Sequence, residues 1–151
     1  MNTLGVQAPM ATAIADVAEA RRDYMDESGG RYVQIIADGG MGNSGSFIKA
    51  LAVGADAVML GTPLARATEA PGHGTHWGAE ARHSSLPRGM RSNVGTVAPL
   101  ENILFGPSHE ADGTTNFVGA LRRTMASTGY VDVKSFQRCS VVFNPFHQDI
   151  R

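Results

Sequence analysis

Two short apolar runs, each breaking off into glycine, constrain this chain more than anything else in it. Val33-Gln-Ile-Ile-Ala37 runs into Asp38-Gly39-Gly40, and Ala57-Val-Met-Leu60 runs into Gly61-Thr62. Apolar, β-branched residues that stop abruptly at small, backbone-exposing ones are the sequence signature of buried parallel strands. Between them, Gly42-Asn-Ser-Gly45 leads into a helical pattern (Phe47, Ile48, Leu51, Ala52) that stops at Gly54-Ala-Asp56. This predicts one β-α-β unit with chemistry at both strand C-termini, where α/β barrels and doubly wound sheets keep their ligand sites. Glycines there let backbone N–H groups approach a phosphate, and an aspartate beside them accepts hydrogen bonds from ribose hydroxyls. On spacing alone Asp38 also suits a second role, capping the turn that follows it. The local reading is a nucleotide or sugar-phosphate site.

The rest of the chain frames that unit. Thr12 to Met25 places Ile14, Val17, Ala18 and Tyr24 on one face and Asp16, Glu19, Arg22 and Asp23 on another, an amphipathic helix stopped by Ser28-Gly-Gly30. A short helical piece is expected around Pro63 to Thr68. From Pro71 to Gly113 the text turns rich in glycine, proline and histidine, with few periodic apolar positions. A long stretch of that kind inside a compact domain is commonly functional, and it reads as a mobile lid, with a pair of β-hairpins as the alternative. Asn116 to Ser127 is helical again and stops at Gly129. A turn of helix follows around Ser135-Phe136, then a strand Cys139–Phe143 and a loose tail over about 144–151.

Composition excludes several classes. With a net charge of -1 and no basic run, the chain carries no electrostatic footprint for nucleic acid. No apolar run approaches the ~18 residues of a membrane-spanning helix. One cysteine and no basic-then-apolar leader make a reducing, cytoplasmic setting the default. His73 and His76 are three apart, but no further ligand is patterned with them, so no metal site is expected. Cys139, the only thiol, is expected as a small buried hydrophobe rather than a nucleophile.

Several stretches together carry a resemblance. Ile36-Ala-Asp38-Gly-Gly40 followed by Gly54-Ala-Asp-Ala-Val-Met-Leu-Gly61 resembles the second half of the IMP dehydrogenase/GMP reductase family, and most closely its actinobacterial IMP dehydrogenase-like branch. Val6-Gln-Ala-Pro-Met-Ala-Thr-Ala-Ile14, Leu86-Pro-Arg-Gly-Met90, Ile103-Leu-Phe-Gly-Pro-Ser-His109 and Gly119-Ala-Leu-Arg-Arg123 extend it over nearly the whole chain. The resemblance implies an α/β fold, a partial (β/α)8 TIM barrel with a long active-site flap. A complete barrel needs ~250 residues, so 151 residues hold only its last strands and helices. Residues 1–151 are then the C-terminal part, with the flap over about 71–113 and the tail over about 144–151.

The resemblance also implies a site. Asp38 matches the aspartate that holds the ribose hydroxyls; Gly40, Gly61 and Thr62 are taken as the phosphate cradle, with Gly39 a substrate-binding residue beside it and plain turn glycines as the alternative for Gly39 and Gly40. Gly89 and Met90 match the flap backbone that lies against the purine, although Pro87 stands where the family has tyrosine. Counting from Gly119-Ala-Leu-Arg places Glu101 at the flap position that faces the purine N1, with a solvated surface glutamate as the equal alternative. The family nucleophile, a cysteine in a Gly-Ser-x-Cys-Thr-Thr-Arg loop, would fall upstream of Met1, leaving no catalytic residue in the chain. A flap histidine or arginine could activate water, and nothing in the text selects one.

The implied activity is oxidation of IMP to XMP with NAD. The alternative is GMP to IMP with NADPH; the cofactor is therefore NAD or NADP, and the small-molecule partner IMP, XMP or GMP. A homo-tetramer is implied for the full-length enzyme, and the fragment alone is expected to be inactive. A reading of another class is a non-catalytic, nucleotide-binding half-barrel or truncated product.

Overall fold

A computed structural model describes residues 8–76 and 92–142. Helix α1 spans Met10–Glu27 and strand β1 Ile36–Asp38. Helix α2 covers Ser44–Ala52, β2 Ala57–Met59 and α3 Thr62–Ala65. Two-residue strands β3 (Thr75–His76) and β4 (Ser92–Asn93) follow, then α4 (Leu100–Phe105), α5 (Phe117–Thr128) and α6 (Val133–Phe136). No described helix is long and apolar enough to cross a membrane.

The predicted β-α-β unit is present. β1 and β2 pair in parallel, with Ile36 opposite Ala57, Ala37 opposite Val58 and Asp38 opposite Met59. The connection is α2, started by Asn43, whose side chain accepts the Ser46 N–H at 2.9 Å. Asp38 and Gly61 therefore leave the sheet at the same end. The strands are not buried on both faces, as their apolar run suggested. Ala37 keeps 3% of its surface, whereas Ile36 keeps 56% and Met59 51%. Alternation along a strand puts Ile36 and Asp38 on one face, and among the described residues only the opposite face is covered.

Helix α1 ends as its glycines foretell. Gly29 adopts φ 69° and the Gly30 N–H reaches back to the Met25 carbonyl at 2.7 Å, a Schellman closure. Only part of its expected apolar face is used: Ile14 and Ala18 are buried, while Val17 and Tyr24 remain exposed. The buried stripe is narrow because α1 packs on one side only, against a cluster of Ile35, Ala37, Met41, Ala50 and Ala55. A second cluster joins Ile48, Leu51 and Ala52 of α2 to Met125 of α5 and Phe136 of α6.

Gly54 sets the spacing of the first cluster. Its φ is +116°, and a Cβ there would sit 2.7 Å from the Ala18 Cβ. Gly54→Ala is therefore expected to cost about 2–3 kcal/mol, from backbone strain plus a clash with α1. A urea denaturation curve showing a loss below about 1 kcal/mol would mean that α1 yields freely.

Residues 71–76 and 92–113, the described part of the expected flap, hold more structure than their sequence suggests. β3 and β4 form an antiparallel ladder, with Thr75 opposite Asn93 and His76 opposite Ser92. Helix α4 was not foreseen, because six residues between Pro99 and Gly106 are too few to display a period. Ile103 nevertheless keeps only 1% of its surface. The strand expected from Cys139 is absent over residues 139–142, which follow α6 as irregular chain. Val-Val-Phe has strand chemistry, but a strand needs an edge to pair with, and Cys139 packs beside the α2–α5–α6 cluster, where no described strand lies.

The first-cluster end of β2 is tied down by charge. The Asp56 carboxylate accepts hydrogen bonds from the Arg21 guanidinium (2.6 Å), the Ile35 N–H (2.8 Å), the Gln137 amide (3.0 Å) and the Tyr32 hydroxyl. Arg21 also donates to the Gly54 carbonyl and lies over the Tyr32 ring, with Lys134 near the same ring. Burial alone would raise the Asp56 pKa. The hydrogen bonds from Tyr32, Ile35 and Gln137 and the Arg21 charge outweigh it and hold the carboxyl below its ordinary value of 3.8.

Candidate functional site

The site is built from the ends of the two parallel strands. Asp38, the last residue of β1, is exposed on the uncovered face of the sheet. Gly39 at φ 110° and Gly40 at φ 73° then turn the chain through conformations that L side chains rarely adopt. Met41 anchors the loop in the first cluster with 6% of its surface exposed. On the neighbouring strand, Gly61 caps α3 and Thr62 is its first residue, followed by Pro63 at the position where a missing N–H is tolerated.

These residues surround one open cleft of about 370 Å³. Asp38, Gly39, Gly40, Gly61 and Thr62, five of the positions singled out in the sequence, all line it, together with Met59 and His76. A smaller cavity of about 200 Å³ lies behind the glycine loop, between α1 and α2, and is reached by Lys49 and Ser46. The start of α2 is partly occupied from within. The Ser44 N–H donates to the Gly113 carbonyl at 2.8 Å, and the Ser46 N–H to Asn43. Phosphate binding here would therefore fall to the glycine amides more than to the tip of the helix.

His76 reaches the cleft from outside the β-α-β unit. Its strand β3 is held by β4, and its imidazole lies against Gly61: a Cβ on Gly61 would meet Nε2 at 3.2 Å. Nothing in the sequence distinguished His76 from His73, His83 or His109, because the ladder with Ser92 spans a long separation. Glu101, by contrast, is exposed in the first turn of α4 and does not line the cleft. Gly89 and Met90 lie outside the described residues. Cys139 is half-buried beside Phe136 and Tyr130, and it does not line the cleft either.

Two ligand classes can be tested against this geometry. Among the described residues no group of three or more His, Cys, Asp and Glu side chains could hold a metal ion. Gly40, Gly42 and Gly45 fall at the spacing of a dinucleotide-binding turn between a strand and a helix. The match is superficial. A Cβ on Gly45 would meet only Asn43 Oδ1, at 3.5 Å, so close helix–strand packing does not require glycine there. The second strand moreover ends at Met59 with no acid to take a ribose. The described residues thus do not form a Rossmann-type dinucleotide-binding turn. What they offer is a carboxylate able to accept from hydroxyls, and glycine amides with a threonine hydroxyl able to donate to anionic oxygens.

The chain is similar to known proteins over most of its length. Residues 2–103 match the profile of the IMP dehydrogenase / GMP reductase domain. The chain is 57% identical over 137 residues to an uncharacterized oxidoreductase of Mycobacterium tuberculosis H37Rv, covering 89% of this chain and 36% of that one. It is 34% identical over 151 residues to the inosine-5'-monophosphate dehydrogenase of Aquifex aeolicus, covering 88% of this chain and 29% of the enzyme. Among solved structures, an IMP dehydrogenase/GMP reductase-like protein from Corynebacterium glutamicum superimposes with a TM-score of 0.84 at 57% identity. That match covers 93% of this chain and 38% of the other. The chain spans little more than a third of the length of the first two actinobacterial relatives.

Proposed function

The chain belongs to the IMP dehydrogenase/GMP reductase family, and on that premise we propose that it supplies the ribose- and phosphate-binding side of a purine nucleotide oxidoreductase. The reaction is oxidation of IMP to XMP with NAD. The observation that carries this reading is the convergence of Asp38, Gly39 and Gly40 from β1 with Gly61 and Thr62 from β2 on one cleft. β1 and β2 are then the last two strands of a (β/α)8 barrel, and the uncovered face bearing Ile36, Asp38 and Met59 is the barrel interior. By the family resemblance Gly89 and Met90 of the 71–113 flap contact the purine, whereas Glu101 stands outside the cleft lining. The assembled enzyme is a cytoplasmic homo-tetramer.

In this scheme the chain's own residues bind and orient. Asp38 accepts hydrogen bonds from the 2′- and 3′-hydroxyls and fixes the sugar. The Gly39–Gly40 and Gly61 amides and the Thr62 hydroxyl hold the phosphate, leaving the base projecting away from the glycine turn. Anchoring a nucleotide at its non-reacting end supplies binding energy that positions the reacting carbon. A nicotinamide cofactor, when bound, would supply the hydride acceptor, and the described residues assign it no partner.

Titration of IMP, followed through the Gly39, Gly40 and Gly61 amide resonances, tests the reading. Asp38→Ala removes one or two charge-assisted hydrogen bonds, each on the order of 1.5–3 kcal/mol, and affinity is expected to fall at least tenfold. Gly61→Val fills the approach to the backbone, presses on His76, and should abolish binding. Unchanged IMP affinity in Asp38→Ala would remove Asp38 from the site.

A further inference from the structure

The charge balance of the cleft is incomplete if backbone amides alone meet the phosphate. A phosphate monoester brings close to two negative charges at neutral pH. Oriented N–H groups offer partial positive charge, but Asp38, the carboxylate that lines the same cleft, is itself negative. Among the described residues lining the cleft there is no lysine or arginine, and His76 is the one side chain able to take a positive charge. Lys49 lines the smaller cavity behind the glycine loop instead.

Position agrees with charge. The imidazole lies against Gly61, with Nε2 3.2 Å from where a Cβ would be, so it stands beside the Gly61–Thr62 turn proposed to hold the phosphate. Its backbone is not free to drift. His76 pairs with Ser92 across the β3–β4 ladder, and two residues before it Gly74 is in close contact with the Gly95 backbone, where a Cβ would have only 2.6 Å.

We infer that His76 is a phosphate ligand of this cleft, donating from its imidazole to the nucleotide phosphate beside Gly61 and making the site select a nucleoside monophosphate over the nucleoside. This rests on the nucleotide-site reading above. A role as water activator at the purine is the competing assignment for a histidine in this stretch, and the two separate by ligand.

The test compares IMP with inosine on the 151-residue chain, by amide-resonance titration, for wild type, His76→Ala and His76→Gln. Wild type should bind IMP at least tenfold more tightly than inosine. His76→Ala should lose fivefold or more for IMP and nothing for inosine. His76→Gln, which keeps a donor without the charge, should fall between and guards against an effect of lost packing at Gly61. If wild type fails to prefer IMP over inosine, the nucleotide-site reading fails and this assignment with it. If wild type prefers IMP but His76→Ala leaves that preference intact, or weakens both ligands equally, the site stands and His76 is not its phosphate ligand.

Discussion

Asp56→Ala is expected to lower the melting temperature of this chain by about 6–12 °C, the largest loss of stability from any single substitution considered. The carboxylate, 17% exposed, gathers four groups from three stretches: Arg21 on α1, Tyr32 and Ile35 ahead of β1, and Gln137 after α6. Removing it leaves Arg21, whose side chain is 10% exposed, without its counter-charge. Breaking one partner from a largely buried pair costs about 3 kcal/mol or more, which in a domain of this size corresponds to the stated shift. Asp56→Asn, which keeps the shape and two of the acceptor contacts, should cost less. A thermal melt within about 2 °C of wild type for Asp56→Ala would show that the network is ornamental.

The same network makes the fold sensitive to acid. The Asp56 pKa is lowered in the folded chain, so between the folded value and the ordinary value of 3.8 the unfolded chain binds the extra proton. Its contribution is fully present above that window and lost as pH falls through the folded pKa. Stability should therefore decline more steeply below pH 4 in wild type than in Asp56→Asn, in which this proton linkage is missing.

The second large effect is an absence: purified alone, the 151-residue chain should show no purine oxidoreductase turnover. The family reaction proceeds through a cysteine adduct at purine C2, and the chain's single cysteine is Cys139. That thiol is half-buried beside Phe136 and Tyr130 against α2 and α5, and it lines neither the main cleft nor the cavity behind it. A nucleophile must come within contact distance of the carbon it attacks, and Cys139 is not placed to do so. The assay is absorbance at the nicotinamide band with IMP plus NAD, then GMP plus NADPH, over hours at high protein concentration. Turnover that accompanies the purified chain and vanishes in Cys139→Ser would overturn this placement.

What could be read in advance follows from how local each signal is. Parallel pairing of β1 and β2, and the shared exit of Asp38 and Gly61, were legible because apolar runs ending in glycine encode a β-α-β unit within one continuous stretch. Helices α1, α2 and α5 were legible from their periodicity and from the stop signals at Gly29, Gly54 and Gly129. Asp56 read only as part of a helix stop, since its partners Arg21 and Gln137 are brought to it by packing across the chain. His76 was one of four equivalent histidines until the β3–β4 ladder placed it against Gly61. The expected strand at Cys139 failed for a related reason. β-Branched chemistry is local, but a strand exists only where another edge is free to receive it.

Helix α2 carries a last consequence. Ala50 faces the first apolar cluster, while Ile48, Leu51 and Ala52 belong to the second, so the helix is gripped from two sides. A cylinder held on one side can roll about its axis; held on two, it cannot. The azimuth of its first turn, and with it the aim of Gly42 and Asn43 that lead out of the glycine loop, is therefore indexed to Met125 and Phe136, side chains with no place in the cleft. Under the proposed function, the alignment of a nucleotide in this site would be set, in part, by the fit of an aromatic ring on the far side of the helix.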